Sequence, residues 1–279
     1  LAQTSIIYYT DPKTGEYREL QQLYGTENRI WVSYDDIPLD LVHAAISIED
    51  KRFPTHKGVD WIRTLAAVKG FAGGSSSFGG STITQQLIKN LSQEDEVTVD
   101  RKVQEIFRAL EVEKRYTKSE IMEWYLNTIY LGEGCYGVQS AARVYFGKKV
   151  SDLTTAECAS LISITNNPSL FNPYSESVYM YKGEERDGAG RNRYRQLNVL
   201  SEMLDQDYLT QEEYDAAVAQ EMVFKEGIAD ADRWTICDNC GYENTRSHFT
   251  GEGDTCYCPQ CGEQVAVSTD ASQHIYSWF

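Results

Sequence analysis

A mainly α-helical domain, preceded by a short β-rich segment and followed by a small cysteine-rich module, is the fold class this sequence predicts. Three observations carry that reading. Apolar residues recur at three-to-four spacing through most of the middle of the chain. Three Thr-x-x-Glu capping boxes, Thr117 with Glu120, Thr154 with Glu157 and Thr210 with Glu213, mark helix starts. Five of the seven cysteines crowd into residues 237–261, which sets that stretch apart as a unit. A chain of 279 residues with 41% hydrophobic content is long enough for one large core plus such a module.

The elements follow in order. Residues 1–35 read as β-rich, because Ile6-Ile7-Tyr8-Tyr9 and Glu16-Tyr17-Arg18-Glu19-Leu20 flank the turn-forming cluster Asp11-Pro12-Lys13-Thr14-Gly15. Lys13-Thr14-Gly15 matches a transpeptidase motif, but no Ser-x-x-Lys exists to supply the nucleophile, so the turn is the better reading. From Pro38 the pattern turns helical, with Leu41, Val42, Ala45, Ile46 and Glu49 on one stripe. Further helices are expected at 61–69, 82–91, 100–116, 118–130, 139–145, 156–164, 192–205 and 211–220. Gly- and Ser-rich residues 72–80, acidic residues 92–100 and polar residues 183–190 read as loops. The domain boundaries expected are 1–35, 36–225 and 226–279.

Charge excludes some partners. With 26 basic against 42 acidic residues the net charge is −16, so nucleic acid is not an expected ligand, and any anion must be met by a local cationic cluster. No apolar run is long enough to span a membrane, and no charged-then-apolar leader opens the chain at Leu1, so neither a membrane span nor a signal peptide is expected within it.

Two carboxylates stand out as candidate acid and base. Glu49 falls on the apolar stripe of its helix, where a carboxyl is poorly solvated and thereby suited to proton transfer near neutral pH. The bland alternative is a helix-end glutamate paired with Lys51 or Arg52. Glu105 has Arg101, Lys102 and Arg108 at helical spacing around it, with Val103, Ile106, Phe107 and Leu110 expected to face the core; ordinary surface ion pairs look the same. Two carboxyls in such different surroundings fit divided acid and base roles. Between them in sequence, Gly79-Gly80-Ser81-Thr82-Ile83-Thr84-Gln85-Gln86 reads as a close-approach loop running into a helix start whose free amides suit an anion, with Lys89 one to two turns on. A plain capped helix is the alternative.

Taken together, Glu49-Asp50-x-x-Phe53-x-x-His56-x-Gly58, Gly79-Gly80-Ser81-Thr82-Ile83-Thr84-Gln85-Gln86-Leu87, Arg101-Lys102-x-x-Glu105 and Ile121-x-Glu123-x-Tyr125-Leu126-Asn127 resemble the peptidoglycan glycosyltransferase domain of class A penicillin-binding proteins and monofunctional transglycosylases. Gly132-x-Gly134-x-x-Gly137, Tyr145-Phe146-Gly147-Lys148 and Asn167-Pro168 extend the resemblance, which covers roughly residues 36–220. It implies a lysozyme-like glycosyltransferase fold with a small membrane-touching jaw, and polymerisation of lipid II into glycan strands with release of undecaprenyl pyrophosphate. It implies Glu49 as the base and Glu105 as a second catalytic group, acting directly or through a divalent cation, Mg or Mn. Asp50, Phe53, His56, Ser81, Thr82, Gln85, Gln86, Lys89, Arg101 and Lys102 match substrate-binding positions, and Glu123 matches a structural one. Partners so implied are lipid II, the growing glycan, a membrane surface, moenomycin-type inhibitors and a transpeptidase domain elsewhere in a longer protein. The location implied is the extracytoplasmic face of the plasma membrane, with an N-terminal anchor helix outside this chain. Gln104 stands where a basic residue is common, and Trp61 to Phe71 is either the jaw or an ordinary amphipathic helix. A lytic glycosidase using Glu49 as general acid and a catalytically weakened scaffold stay open as rivals.

In the tail, Cys237-x-x-Cys240-Gly and Cys258-x-x-Cys261-Gly have the spacing of a zinc ribbon, whose four thiolates close a structural tetrahedral site. Disulfides are the alternative in an oxidising compartment. Elemental analysis of the purified chain is expected to give one zinc per molecule, with loss of the metal in Cys240→Ser; zinc-free protein whose mass shows paired cysteines would select the disulfides.

Overall fold

The computed structural model forms two units, Leu1–Lys225 and Glu226–Phe279. It describes residues 5–10, 17–23, 28–72, 80–92 and 99–225 of the first and four short strands of the second.

The first unit is mainly helical. Strands β1 (Ser5–Thr10) and β2 (Tyr17–Leu23) pair antiparallel, and β3 (Asn28–Arg29) pairs in parallel with β4 (Cys135–Tyr136). The helices are α1 (Leu39–Glu49), α2 (Trp61–Ala72), α3 (Ile83–Ser92), α4 (Val99–Arg115), α5 (Lys118–Thr128), α6 (Val138–Phe146), α7 (Thr155–Ser163), α8 (Pro168–Phe171), α9 (Gly188–Asp205) and α10 (Gln211–Ala219). All three capping boxes form: each threonine hydroxyl accepts the N3 amide while the N3 glutamate accepts the threonine amide.

Packing explains where the site lies. Helices α1, α7 and α9 pack on one another, α3 packs on both α4 and α5, and one apolar core runs through α1, α3, α5, α6, α7 and α9. Glu123 and Asn127 of α5 clasp the incoming chain: Glu123 accepts the Trp31 indole N–H at 3.0 Å and the Tyr34 amide at 2.8 Å, and Asn127 exchanges two hydrogen bonds with Val32. The side-chain clasp fixes what precedes α1, and with it the direction from which α1 enters the core.

Two expectations are corrected. Residues 183–190 are not a plain loop. Strands β5 (Tyr179–Tyr181) and β6 (Glu184–Arg186) form a hairpin whose turn, Lys182-Gly183, takes positive φ at both positions. Helix α9 then starts at Gly188 with Asp187 as its cap, and glycine is required there because a Cβ at 188 would sit 2.1 Å from the Asn172 carbonyl oxygen. A packing constraint, not a loop, explains that glycine. The second correction concerns α4: Val103 and Phe107 are 45% and 66% exposed, while Ile106, Leu110 and the buried Ala109 make its apolar contacts.

In the second unit β7 (Trp234–Ile236) pairs antiparallel with β8 (Glu243–Thr245), and β9 (Thr255–Tyr257) with β10 (Gln264–Ala266). Cys237, Cys240, Cys258 and Cys261 lie outside the described residues.

The start of α2 is set by Asp60, whose carboxylate accepts the Ile62 and Arg63 amides, both at 3.1 Å, and the Arg52 guanidinium through two hydrogen bonds. Burial pushes its carboxyl up, but these donors and the charges of Arg52 and Arg63 outweigh burial, leaving it below the ordinary aspartate range. A depressed folded value means that the stability it supplies is present above about pH 3.9 and is lost as pH falls through the folded value. Asp60→Asn is therefore expected to lose up to about 1 kcal/mol at pH 7, and less at pH 3, in urea unfolding; an equal loss at both pH values would contradict this.

Candidate active site

Glu49 is the last residue of α1, and four separate elements converge on it. Its Oε1 accepts the Thr165 hydroxyl at 3.0 Å, from the turn after α7, and its Oε2 accepts the Gln86 amide of α3 at 3.1 Å. The Arg195 guanidinium of α9 lies 3.8 Å from Oε1, and Arg63 of α2 donates to the Glu49 carbonyl oxygen at 2.7 Å. Orientation of Gln86 is imposed from behind. The Tyr125 hydroxyl donates to Gln86 Oε1 at 3.3 Å, which turns the amide nitrogen toward Glu49. Burial first, and then the charges of Glu49 and Asp50, push the Tyr125 phenol well above its ordinary value, so it remains a donor. The alternative partners of Glu49 are engaged elsewhere: Lys51 pairs with Glu202, and Arg52 with Asp60.

The turn after Glu49 is locked by a buried network. Asp50 has no solvent exposure; its Oδ2 accepts the Ile83 amide at 2.9 Å and bonds His56 Nε2 at 2.7 Å. Because the Gly58 amide donates to His56 Nδ1 at 3.1 Å, the ring proton sits on Nε2 and is given to Asp50. Gly58 takes φ +94°, and a Cβ there would meet the Ala109 carbonyl oxygen of α4 at 2.5 Å, so only glycine allows this approach. Thr82 donates to the Gly58 carbonyl at 2.7 Å and, with Gln85, closes a reciprocal cap at the start of α3. Phe53 is buried, edge-on to His56 and beneath the Lys118 ammonium. The expectation of open amides at the α3 start is thus corrected: Asp50, Thr82 and Gln85 already occupy the amides of Ile83, Gln85 and Thr82.

A cleft opens beside α3 instead, lined by Ile88, Lys89, Ser92, Arg101, Glu105 and Arg108. Ser81 accepts from Lys102 at 2.8 Å, and Lys102 bonds the buried Glu105. Gln104 is exposed, and Arg108, one turn beyond it, lines the cleft. Acidic residues 94–96 lie outside the described residues. Helix α3 therefore carries groups of both regions: Gln86 reaches Glu49, while Lys89 lines the cationic cleft, and Ser81 just before the helix meets Lys102. Among the described residues no three His, Cys, Asp or Glu side chains gather as a metal site. Glu105 is the carboxylate lining this cleft among the described residues, and an Mg or Mn there would be held by it together with substrate phosphates.

Sequence reasoning did not find Thr165 or Arg195. Thr165 is 116 residues from Glu49, and neither residue sits in a motif that signals chemistry; only the fold brings them to the carboxylate.

Residues 16–203 match the family described as Transglycosylase. Penicillin-binding protein 1A of Aquifex aeolicus is 40% identical over 222 residues, covering 78% of this chain and 29% of its own length. That of Vibrio cholerae is 43% identical over 203 residues, covering 72% and 23%, and that of Escherichia coli is 45% identical over 198 residues, covering 71% and 22%. The chain spans less than a third of the length of these relatives. A solved structure of penicillin-binding protein 1A from Haemophilus influenzae aligns with a TM-score of 0.41 at 27% identity, over 81% of this chain and 21% of that one. The chain belongs to the transglycosylase family and carries the transglycosylase domain of class A penicillin-binding proteins.

Proposed function

We propose that this domain polymerises lipid II, with Glu49 as the base. The observation that carries the reading is the setting of Glu49: a mostly buried carboxylate held by two neutral donors, Thr165 and Gln86, while Lys89, Arg101, Lys102 and Arg108 gather at the Glu105 cleft. Neutral donors orient the carboxylate, the Arg195 guanidinium at 3.8 Å is beyond hydrogen-bond length, and the remaining lone pairs are left to take a proton. The acceptor sugar gives up its 4-hydroxyl proton to Glu49 as its oxygen attacks the anomeric carbon of the donor. The bond to undecaprenyl pyrophosphate breaks with inversion, and the departing diphosphate carries the electron pair away. The four cations take up that developing charge, and a divalent cation held by Glu105 would add to them. Glu105 holds Lys102 in place and thereby shapes the donor side.

Trp61, Ile62 and Leu65 at the start of α2 are 53%, 68% and 64% exposed, which suits a surface resting against lipid at the outer face of the plasma membrane. No described helix is long and apolar enough to cross a membrane, so attachment is assigned to a part of a longer protein, together with a transpeptidase domain. A moenomycin-type inhibitor competes for the cationic cleft. The cysteine module is a structural zinc ribbon, and the protomer fold of the enzyme unit is lysozyme-like.

Glu49→Gln keeps the shape and one acceptor oxygen but cannot take a proton, so with labelled lipid II in detergent it is expected to slow strand formation by at least about 100-fold. Strands resolved by length at a rate within tenfold of the native chain would remove Glu49 from the role. Cleavage of preformed glycan by the native chain would replace polymerisation by hydrolysis.

A further inference from the structure

The longest consecutive run of exposed large apolar side chains among the described residues, Val178-Tyr179-Met180, leads into the β5–β6 hairpin, with exposures of 57%, 54% and 68%. A two-stranded hairpin is marginal in water by itself. This one is held by Arg191 of α9, which is fully buried and donates to the Ser177 carbonyl before β5 at 2.8 Å, the Arg186 carbonyl at the end of β6 at 2.6 Å and the Leu170 carbonyl of α8 at 2.7 Å. The same guanidinium lies 5.0 Å from the centre of the Tyr179 ring. One face of that ring rests on a fixed cation while the residue stays half exposed, which leaves the opposite face to solvent.

The hairpin adjoins the Glu49 subsite. Tyr181, two residues on and so on the same face of β5 as Tyr179, meets Phe171 edge-on with ring centres 5.9 Å apart. The Phe171 ring in turn lies 5.5 Å from the Arg195 guanidinium, which is 3.8 Å from Glu49 Oε1. The other carboxylate oxygen, Oε2, faces Gln86 of α3 and so the wall of the cationic cleft. A substrate that gives its hydroxyl proton to Glu49 and extends away from that cleft runs toward the hairpin. The chemistry of the ring suits a sugar: the π face of tyrosine is negative, and the C–H bonds on one face of a pyranose carry partial positive charge. A lipid surface is the poorer match, because Glu184 and Glu185 of the same hairpin are exposed and would meet anionic headgroups.

We propose that the β5–β6 hairpin is the acceptor-side wall of the site and that Tyr179, set on Arg191, is the platform on which a sugar ring of the acceptor stacks. The inference rests on the lipid II reading above. Fluorescent lipid II in detergent is titrated into Glu49→Gln, which blocks turnover, and into Glu49→Gln carrying Tyr179→Leu, Tyr179→Phe or Tyr179→Trp, with Tm recorded for each. Leucine keeps apolar cover on Arg191 but has no π face. The expected result is binding about 3- to 10-fold weaker for Tyr179→Leu, unchanged for Tyr179→Phe and equal or tighter for Tyr179→Trp, an order that follows the ring and not the Tm. Lipid II affinity of Tyr179→Leu within about 1.5-fold of the parent overturns the proposal, as does a Tm that falls in step with affinity across the variants, which would make Tyr179 a structural residue. Weakened binding of Tyr179→Leu to phosphatidylglycerol vesicles free of lipid II, with lipid II affinity in detergent kept, would overturn it in favour of a membrane contact. Failure of Glu49→Gln itself to bind lipid II would reject the lipid II reading and the platform with it, whereas binding there that Tyr179→Leu leaves unchanged rejects the platform alone.

Discussion

One buried carboxylate determines the rest of the site. Asp50 follows the last residue of α1 and accepts the Ile83 amide at the first residue of α3, so a single hydrogen bond at 2.9 Å ties the end of one helix to the start of another. Its Oδ1 is buried without a hydrogen bond, and Arg63 lies 3.9 Å away. An unmet acceptor of this kind costs about 1–3 kcal/mol. The position accepts that cost because the other oxygen satisfies a helix start and a histidine together.

Much follows from that register. With α3 fixed against the turn after α1, Gln86 reaches Glu49 one turn into the helix, and Ser81 meets Lys102 just before it. Helix α3 is thus a wall shared by the Glu49 subsite, whose carboxylate is hydrogen-bonded by neutral donors, and a cationic subsite around Glu105. The separation matters in a chain with net charge −16, where a field attracting anions exists only locally. It also matters for the chemistry: a base is best left without a hydrogen-bonded cationic partner, whereas a departing diphosphate needs several.

Local signals in the sequence were enough for most of the helices, though not for α8 or the first turn of α9. Capping threonines, apolar stripes and the glycine breaks located α1, α5, α7 and α10 to within a residue or two, because those signals act over one turn. The family motifs marked Glu49, Gln86, Lys102 and Glu105 as well. What periodicity could not supply was the division of labour inside the motifs: Asp50, Phe53, His56, Thr82 and Gln85 are buried in mutual contacts behind the site, and burial of a polar residue depends on partners far away in sequence. The same reason hid Thr165 and Arg195. Gly188 misled for a related cause, since its lack of a side chain serves a close approach to Asn172 and not a flexible loop. On α4 the apolar Val103 and Phe107 follow helical spacing but face outward, which periodicity alone cannot distinguish from a core stripe.

Asp50 is the clamp between α1 and α3, and amide hydrogen exchange of Asp50→Asn tests that directly. Asparagine can keep the size but loses the charge that holds both the Ile83 amide and the His56 proton. Exchange at Ile83 and through Gln86 is predicted to quicken at least about tenfold, while the amides of α7 and α9 keep native protection. Unchanged protection at the start of α3 would contradict the claim that this carboxylate sets the geometry of the site.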